Sequence, residues 1–286
     1  MTIEEEKKFL ENGKYYKELP FYLHGKVISY DETTKMYQIS VYSNSNAMNT
    51  SYTIEGYAFE EDLILDNTDS RNWVITTALT EEGYLEKATN ADLDSRIGNA
   101  GNGNFTKYAR DCKIWTAAEP GNQNFKNGES WCACFVDWCF IKTFDTTTAR
   151  NLLWLGEVEG GRDWSIYTPY ISDVFKSANA WHNTKENGNI YIPQVGDLVF
   201  FYVNKLKRIG HVGIVKEYNN GILTTIEGNT TGRNDTLDNE DVTADASKQG
   251  VYVKTYRINK QTGYLMDSSS SVQIWGYGTP DWNAIN

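Results

Sequence analysis

The chain has 286 residues, of which 40% are hydrophobic, 23% charged and 14% aromatic. That composition belongs to a globular protein and excludes a disordered or coiled-coil chain. Its 27 Lys and Arg stand against 38 Asp and Glu, a net charge of −11. Six bases face twelve acids up to residue 68, and 21 face 26 beyond it. Neither half is basic, so binding to a nucleic-acid backbone is disfavoured as the main function.

The N-terminus, MTIEEEKKFLENGKYY, is charged throughout and lacks the apolar core of a secretory signal. No apolar run reaches membrane-spanning length, so no membrane insertion is expected. The expectation is synthesis in a cytoplasm, with any action outside it following release or delivery by another agent. The four cysteines are Cys112, Cys132, Cys134 and Cys139. Three crowd into eight residues, and a chain of this length needs no covalent staples, so free thiols are expected.

In chain order, residues 1–19 form a polar lead-in. FYLHGKVISY and KMYQISVYS are β-branched and aromatic runs separated by the turn former Asp31-Glu32-Thr33-Thr34. SNSNAMNTS is a polar loop, SYTIEGYAF alternates again, and EEDLILD closes the region. Several short strands in so few residues predict a small SH3-like or OB-like module over 1–68. Residues 66–72 read as a linker. A helix is predicted over ITTALTEEGYLEKAT, a glycine-rich turn over GNAGNGN, a second helix from Phe105 to Trp115, and a polar loop over 118–130. Residues 130–144 are helical by pattern, with Phe135, Val136, Cys139, Phe140 and Thr143 on one buried face. The last third holds five strand candidates: DLVFFYV, GHVGIVKEY, GILTTIEGN, GVYVKTYRI and VQIWGYG. Asn219-Asn220-Gly221 is a hairpin turn, and the polar stretch 232–250 is a surface loop. Helices followed by an antiparallel sheet make an α+β domain over 69–286.

A nucleophile needs a weakened proton and an adjacent base. Ser-Trp-Cys-Ala-Cys-Phe-Val opens a helix, and a thiol in a first turn feels the positive end of the helix dipole. Cys132 holds that place. Cys134 lies about 200° around the helix and Cys139 about 10 Å further along it. Only one of the three can be the exposed, activated thiol, and the other two are expected to be small buried hydrophobes. Among three histidines, His24 sits in the N-terminal strand region and His182 in the polar WHNTKENGN loop. His211 opens the strand HVGIV, where an imidazole is rigidly held as a general base must be. Glu227 and Asn229 lie two apart on the strand that the Asn-Asn-Gly turn folds back beside His211. Either can orient the imidazole through its second nitrogen. A zinc site lacks a second ligand pair. Asp92, Asp94, Asn99 and Asn102 alternate as hard oxygen donors but miss the spacing of a calcium-binding EF-hand loop.

The segments SWCACFVDWC, PQVGDLVFF, GHVGIV and IEGNT, in this order, resemble the CHAP family of cysteine amidohydrolases and peptidases. Residues 75–285 look like those of cell-wall hydrolases from Gram-positive bacteria and their phages. The resemblance implies a papain-like fold and cleavage of an amide bond in peptidoglycan. It implies Cys132 as nucleophile, His211 as base, Glu227 as the orienting acid and Asn229 as a further polar site residue. The backbone N–H of Cys132 is a natural oxyanion donor, with Tyr108 a candidate for the second. Trp131, Trp154, Trp164 and Trp181 are candidates to line a substrate groove. The aspartate cluster that accompanies calcium in many relatives is missing from 118–130, so no required metal or cofactor is expected. Segment 1–68 lies outside the resemblance. It is expected to target the wall or to dock to a phage structural partner, and the other reading of the chain is a virion- or secretion-associated component that opens the wall locally.

Overall fold

The computed structural model describes residues 25–45, 50–59, 70–156, 161–232, 248–266 and 271–285. The chain divides into two compact units, Met1–Asp69 and Ser70–Asn286.

In the first unit, β1 (Gly25–Asp31), β2 (Met36–Ser45) and β3 (Thr50–Phe59) form an antiparallel meander in the order β1-β2-β3. The β1–β2 turn forms where Asp31 was read as a turn former. Its carboxylate accepts the backbone N–H groups of Thr33 and Thr34 at 2.8 and 3.2 Å, the local bonding that makes aspartate favour turns. An SH3-like or OB-like barrel needs strands beyond these three. His24, the lead-in 1–19 and the EEDLILD segment lie outside the described residues.

The second unit is mixed α+β. Among the described residues it contains five α-helices and a six-stranded antiparallel sheet ordered β10-β9-β8-β7-β11-β4. The helices are α1 (Arg71–Leu79), α2 (Lys107–Trp115), α3 (Cys132–Phe144), α4 (Thr146–Leu152) and α5 (Thr168–Ser177). The sheet strands are β4 (Trp181–Asn183), β7 (Leu198–Val203), β8 (Arg208–Asn219), β9 (Ile222–Thr231), β10 (Gln249–Arg257) and β11 (Val272–Gly278). Between β4 and β7, β5 (Lys185–Glu186) and β6 (Asn189–Ile190) form a separate two-stranded ribbon. The five expected strands all form. Asn220 and Gly221 take φ of +49° and +89° and join β8 to β9 with Asn219 opposite Ile222. Those positive φ values define the tight hairpin that an Asn-Gly pair makes without strain.

Three expectations are corrected here. The first helix of this unit begins at Arg71, inside the segment read as linker, and ends at Leu79. From Glu81 the chain instead runs alongside other segments, with Gly83 N–H bonded to Val251 O and Lys87 N–H to Phe105 O. Those non-local bonds override the helical spacing of ITTALTEEGYLEKAT. His182 does not lie in a loop: Trp181–Asn183 is an edge strand against Gly276–Gly278, and the imidazole stacks on Tyr191 at 4.2 Å. Finally, α3 buries more than one face. Every residue from Cys132 to Ile141 is buried, because α1, α2 and α4 surround the helix on the sides that β8 and β9 leave open. A helix apolar all round is a core helix. Burial of Phe135 and Phe140, both 0% exposed, contributes about 1.5–3 kcal/mol each. At Gly228 an added Cβ would come within 2.7 Å of Phe135 and Trp131, so glycine there lets β9 approach the first turn of α3. That approach brings the start of the core helix against the strands carrying His211 and Glu227.

Candidate active site

Cys132 is the first residue of α3, where a backbone N–H has no partner within its own helix. The helix start is held from outside. Trp131, which precedes Cys132, has no capping side chain of its own. Instead Asn229 Oδ1 on β9 accepts the Trp131 backbone N–H at 3.0 Å. Asn229 takes φ +57°, which turns its side chain away from the alternation of β9 and towards α3. Its amide nitrogen donates to Asn104 Oδ1 at 3.2 Å and to Gln249 Oε1. Glu86, 1% exposed, accepts the Trp131 indole N–H at 2.8 Å. Burial pushes the Glu86 carboxyl up, against the Trp131 and Asn104 N–H bonds that favour its charged form.

His211 enters β8 near its beginning. Its Nε2 lies 2.7 Å from Glu227 Oε2, which leaves Nδ1 as the nitrogen open to the Cys132 thiol, the other group that acts on the imidazole. Glu227 is 1% exposed and its other oxygen is filled: Oε1 accepts Thr225 Oγ1 at 2.6 Å and the Tyr256 hydroxyl at 2.8 Å. Burial opposes a charged imidazole, but the bonds and charges of Cys132 and Glu227 outweigh it and raise His211 to about 10. Burial likewise disfavours the Glu227 carboxylate, and the His211, Thr225 and Tyr256 bonds reverse that, holding Glu227 below its ordinary value. The carboxylate therefore fixes the orientation of the imidazole and balances its charge beside the thiol.

The structure brings Cys132, His211 and Glu227 together. It corrects the expected exposure of the thiol: Cys132 keeps only 3% of its surface, because it lies between a fully packed helix and the imidazole. Cys112, Cys134 and Cys139 are buried, unbridged thiols, raised by burial. Asn229 is beside the site but bonds the helix start, not the imidazole. Tyr108 is corrected outright. It is 0% exposed and donates its hydroxyl to Glu81 Oε2 at 2.8 Å, so it packs in the core and offers no oxyanion contact. Trp131, at 1% exposed and bonded to Glu86, and Trp164, at 0%, line no groove either. Aromatic residues of α2 and α3 were needed to fill the space between helices, with Tyr108 centred 5.4 Å from Trp131 and 5.1 Å from Phe135 and Trp138. Asp94 is engaged by Arg110 at 2.6 Å, and no group of three or more metal-ligating side chains occurs among the described residues.

Sequence reasoning missed Glu86, Thr225, Tyr256 and Gly213. Thr225 had a local signal, being two residues before Glu227 on the same strand face. Glu86 had none, since its neighbour Lys87 makes it read as half of a solvated charge pair.

A thiol at the start of a buried helix, beside a carboxylate-bonded imidazole on an antiparallel sheet, gives an α+β domain with the groups that cysteine-dependent amide chemistry requires. Residues 124–229 match the CHAP domain family, which supports reading this part of the chain as the domain of a cell-wall hydrolase. That domain implies amidase or peptidase action on peptidoglycan. Neither a curated protein nor a solved structure matches the chain. No helix among the described residues is long and apolar enough to cross a membrane.

Proposed function

We propose that the protein hydrolyses an amide bond of peptidoglycan through a thioester formed on Cys132. The observation that supports this reading most directly is the Cys132–His211–Glu227 chain, with Nε2 of His211 2.7 Å from Glu227. Cys132 Sγ attacks the scissile carbonyl carbon, and the C–N bond breaks as His211 delivers a proton to the leaving amine. His211 then takes a proton from water, whose oxygen attacks the thioester carbon, and the sulfur leaves. The N–H at the head of α3 faces the developing oxyanion. Glu227 holds the imidazole and balances its charge throughout. The bond is either that between muramic acid and L-alanine or one within the stem peptide or cross-bridge. The 1–68 segment serves as a targeting or docking module in a lysin-like role at the wall.

Purified peptidoglycan treated with the full chain, followed by mass spectrometry of the soluble fragments, tests this. New alanine N-termini free of muramic acid identify an amidase, and cut stems or cross-bridges an endopeptidase. Cys132→Ala and His211→Ala should each abolish release while keeping the native circular dichroism spectrum. Release by either folded variant would refute the mechanism.

A further inference from the structure

One turn along α3 from Cys132, and one residue along β8 from His211, lies a cavity of about 20 Å³, room for one water-sized group. Val136, Leu198 and Val212 are among its apolar walls, and Asp137, Asp163, Ser165 and Tyr170 are its residues with polar side-chain groups. Asp137 is only 5% exposed, and its Oδ2 is buried without a hydrogen-bond partner. A buried polar atom left unpaired costs about 1–3 kcal/mol. Asp163, by contrast, is exposed. The lining includes no Lys, Arg or His.

We propose that this cavity is a substrate subsite for a primary ammonium group, with Asp137 receiving the –NH3⁺ of an amine-bearing peptide residue and Asp163 drawing it in at the mouth. The proposal rests on the reading of the chain as an amide hydrolase. An anion finds no Lys, Arg or His in the lining and would have to pass the exposed Asp163 carboxylate. A bulky apolar side chain exceeds the room and leaves Oδ2 unpaired. An ammonium has the size of a water, supplies the donor that Oδ2 lacks, and carries its alkyl stem past apolar walls. Burial, with the nearby Cys132 adding to it, holds the unliganded Asp137 carboxyl well above the ordinary carboxylate range. Entry of an ammonium ion therefore makes Asp137 ionise, its proton passing to solvent, and the pair forms in a setting with little competing water.

Two measurements on the full chain test this. In the first, n-butylammonium chloride and n-butanol are titrated against the wild type and Asp137→Asn, with thermal midpoint and calorimetry as readouts and ionic strength matched by potassium chloride. The wild type should bind butylammonium at least about tenfold more tightly than butanol, a preference lost in Asp137→Asn and reduced in Asp163→Asn. No preference in the wild type would mean the cavity holds water only, and the proposal fails. That comparison stands even if Asp137→Asn does not fold. In the second, kcat and KM are measured for a wall peptide with a free side-chain amine and for the same peptide acetylated there. Asp137→Asn should raise KM about tenfold or more for the first peptide alone; an equal effect on both overturns the subsite. Amine binding without cleavage of any peptide would refute the hydrolase reading and leave the ammonium site standing.

Discussion

His211 and Glu227 touch at 2.7 Å although they do not face each other in the sheet. The register that pairs Ile214 with Ile226 sets Gly213 opposite Glu227, and Glu227 reaches diagonally across the bare glycine to His211. A Cβ at position 213 would lie 2.6 Å from Glu227 Cγ. Gly213→Ala should therefore displace the carboxylate from the imidazole. We expect kcat on peptidoglycan to fall about 10–100-fold, with a stability loss of about 1–3 kcal/mol. Steady-state kinetics with urea unfolding separates the two effects, and an unchanged kcat in a folded variant would refute the role given to this glycine.

The pH dependence follows from the two perturbed groups. His211 is raised from 6.5 to about 10, so its contribution to stability is full below pH 6.5 and is lost as pH rises through about 10. Glu227 is lowered from 4.5, so its contribution is present above pH 4.5 and is lost as pH falls through its folded value. In its proposed role as the acid that protonates the leaving amine, His211 should give kcat an alkaline limb near pH 10. Glu227→Gln should move that limb towards neutrality and flatten the pH dependence of the urea midpoint. A limb that stays in place would remove Glu227 from the relay.

Asn229 and Glu86 hold Trp131, the residue before the thiol, through its backbone and indole N–H groups. Asn229→Ala removes the bond to the Trp131 N–H and places a β-carbon at φ +57°. Loss of a cap costs about 0.5–2 kcal/mol. Asn229→Gly keeps the backbone comfortable and loses only the bond. Both should lower kcat more than they raise KM, with the glycine variant the more stable. Equal unfolding midpoints for the two would show that backbone conformation contributes nothing at this site.

Selective alkylation checks which sulfur reacts. Cys112, Cys134 and Cys139 are 0–1% exposed and raised by burial, which keeps them as inert thiols. Iodoacetamide on the native protein should add one adduct, mapped to Cys132 by peptide mass spectrometry, in step with loss of activity. An adduct on Cys134 with Cys132 unmodified would move the nucleophile.

Much of this was written locally. The alternation of β7 to β11, the Asn-Gly turn, and the helix opening at Cys132 are short-range patterns, and they were legible because a strand or turn needs only its own residues to declare itself. That the strand of Glu227 and Asn229 lies beside His211 was legible too, since a tight hairpin folds one strand back on the other; which of the two side chains meets the imidazole was not. Segment 80–89 was misread because backbone bonds to Phe105 and Val251 override a helical spacing that no local term forbids. Tyr108 and Trp131 looked available for substrate because aromatic residues read alike whether they fill a core or a groove. Only the packing of α1, α2 and α4 around α3 decided that they are core. The same packing decided how little of the Cys132 surface stays open, that Asn229 caps a helix ninety-eight residues away, and that Asp137 was left beside a cavity with an unpaired oxygen. Each of those depends on which surfaces meet, and burial is a property of the assembled chain that no residue carries by itself.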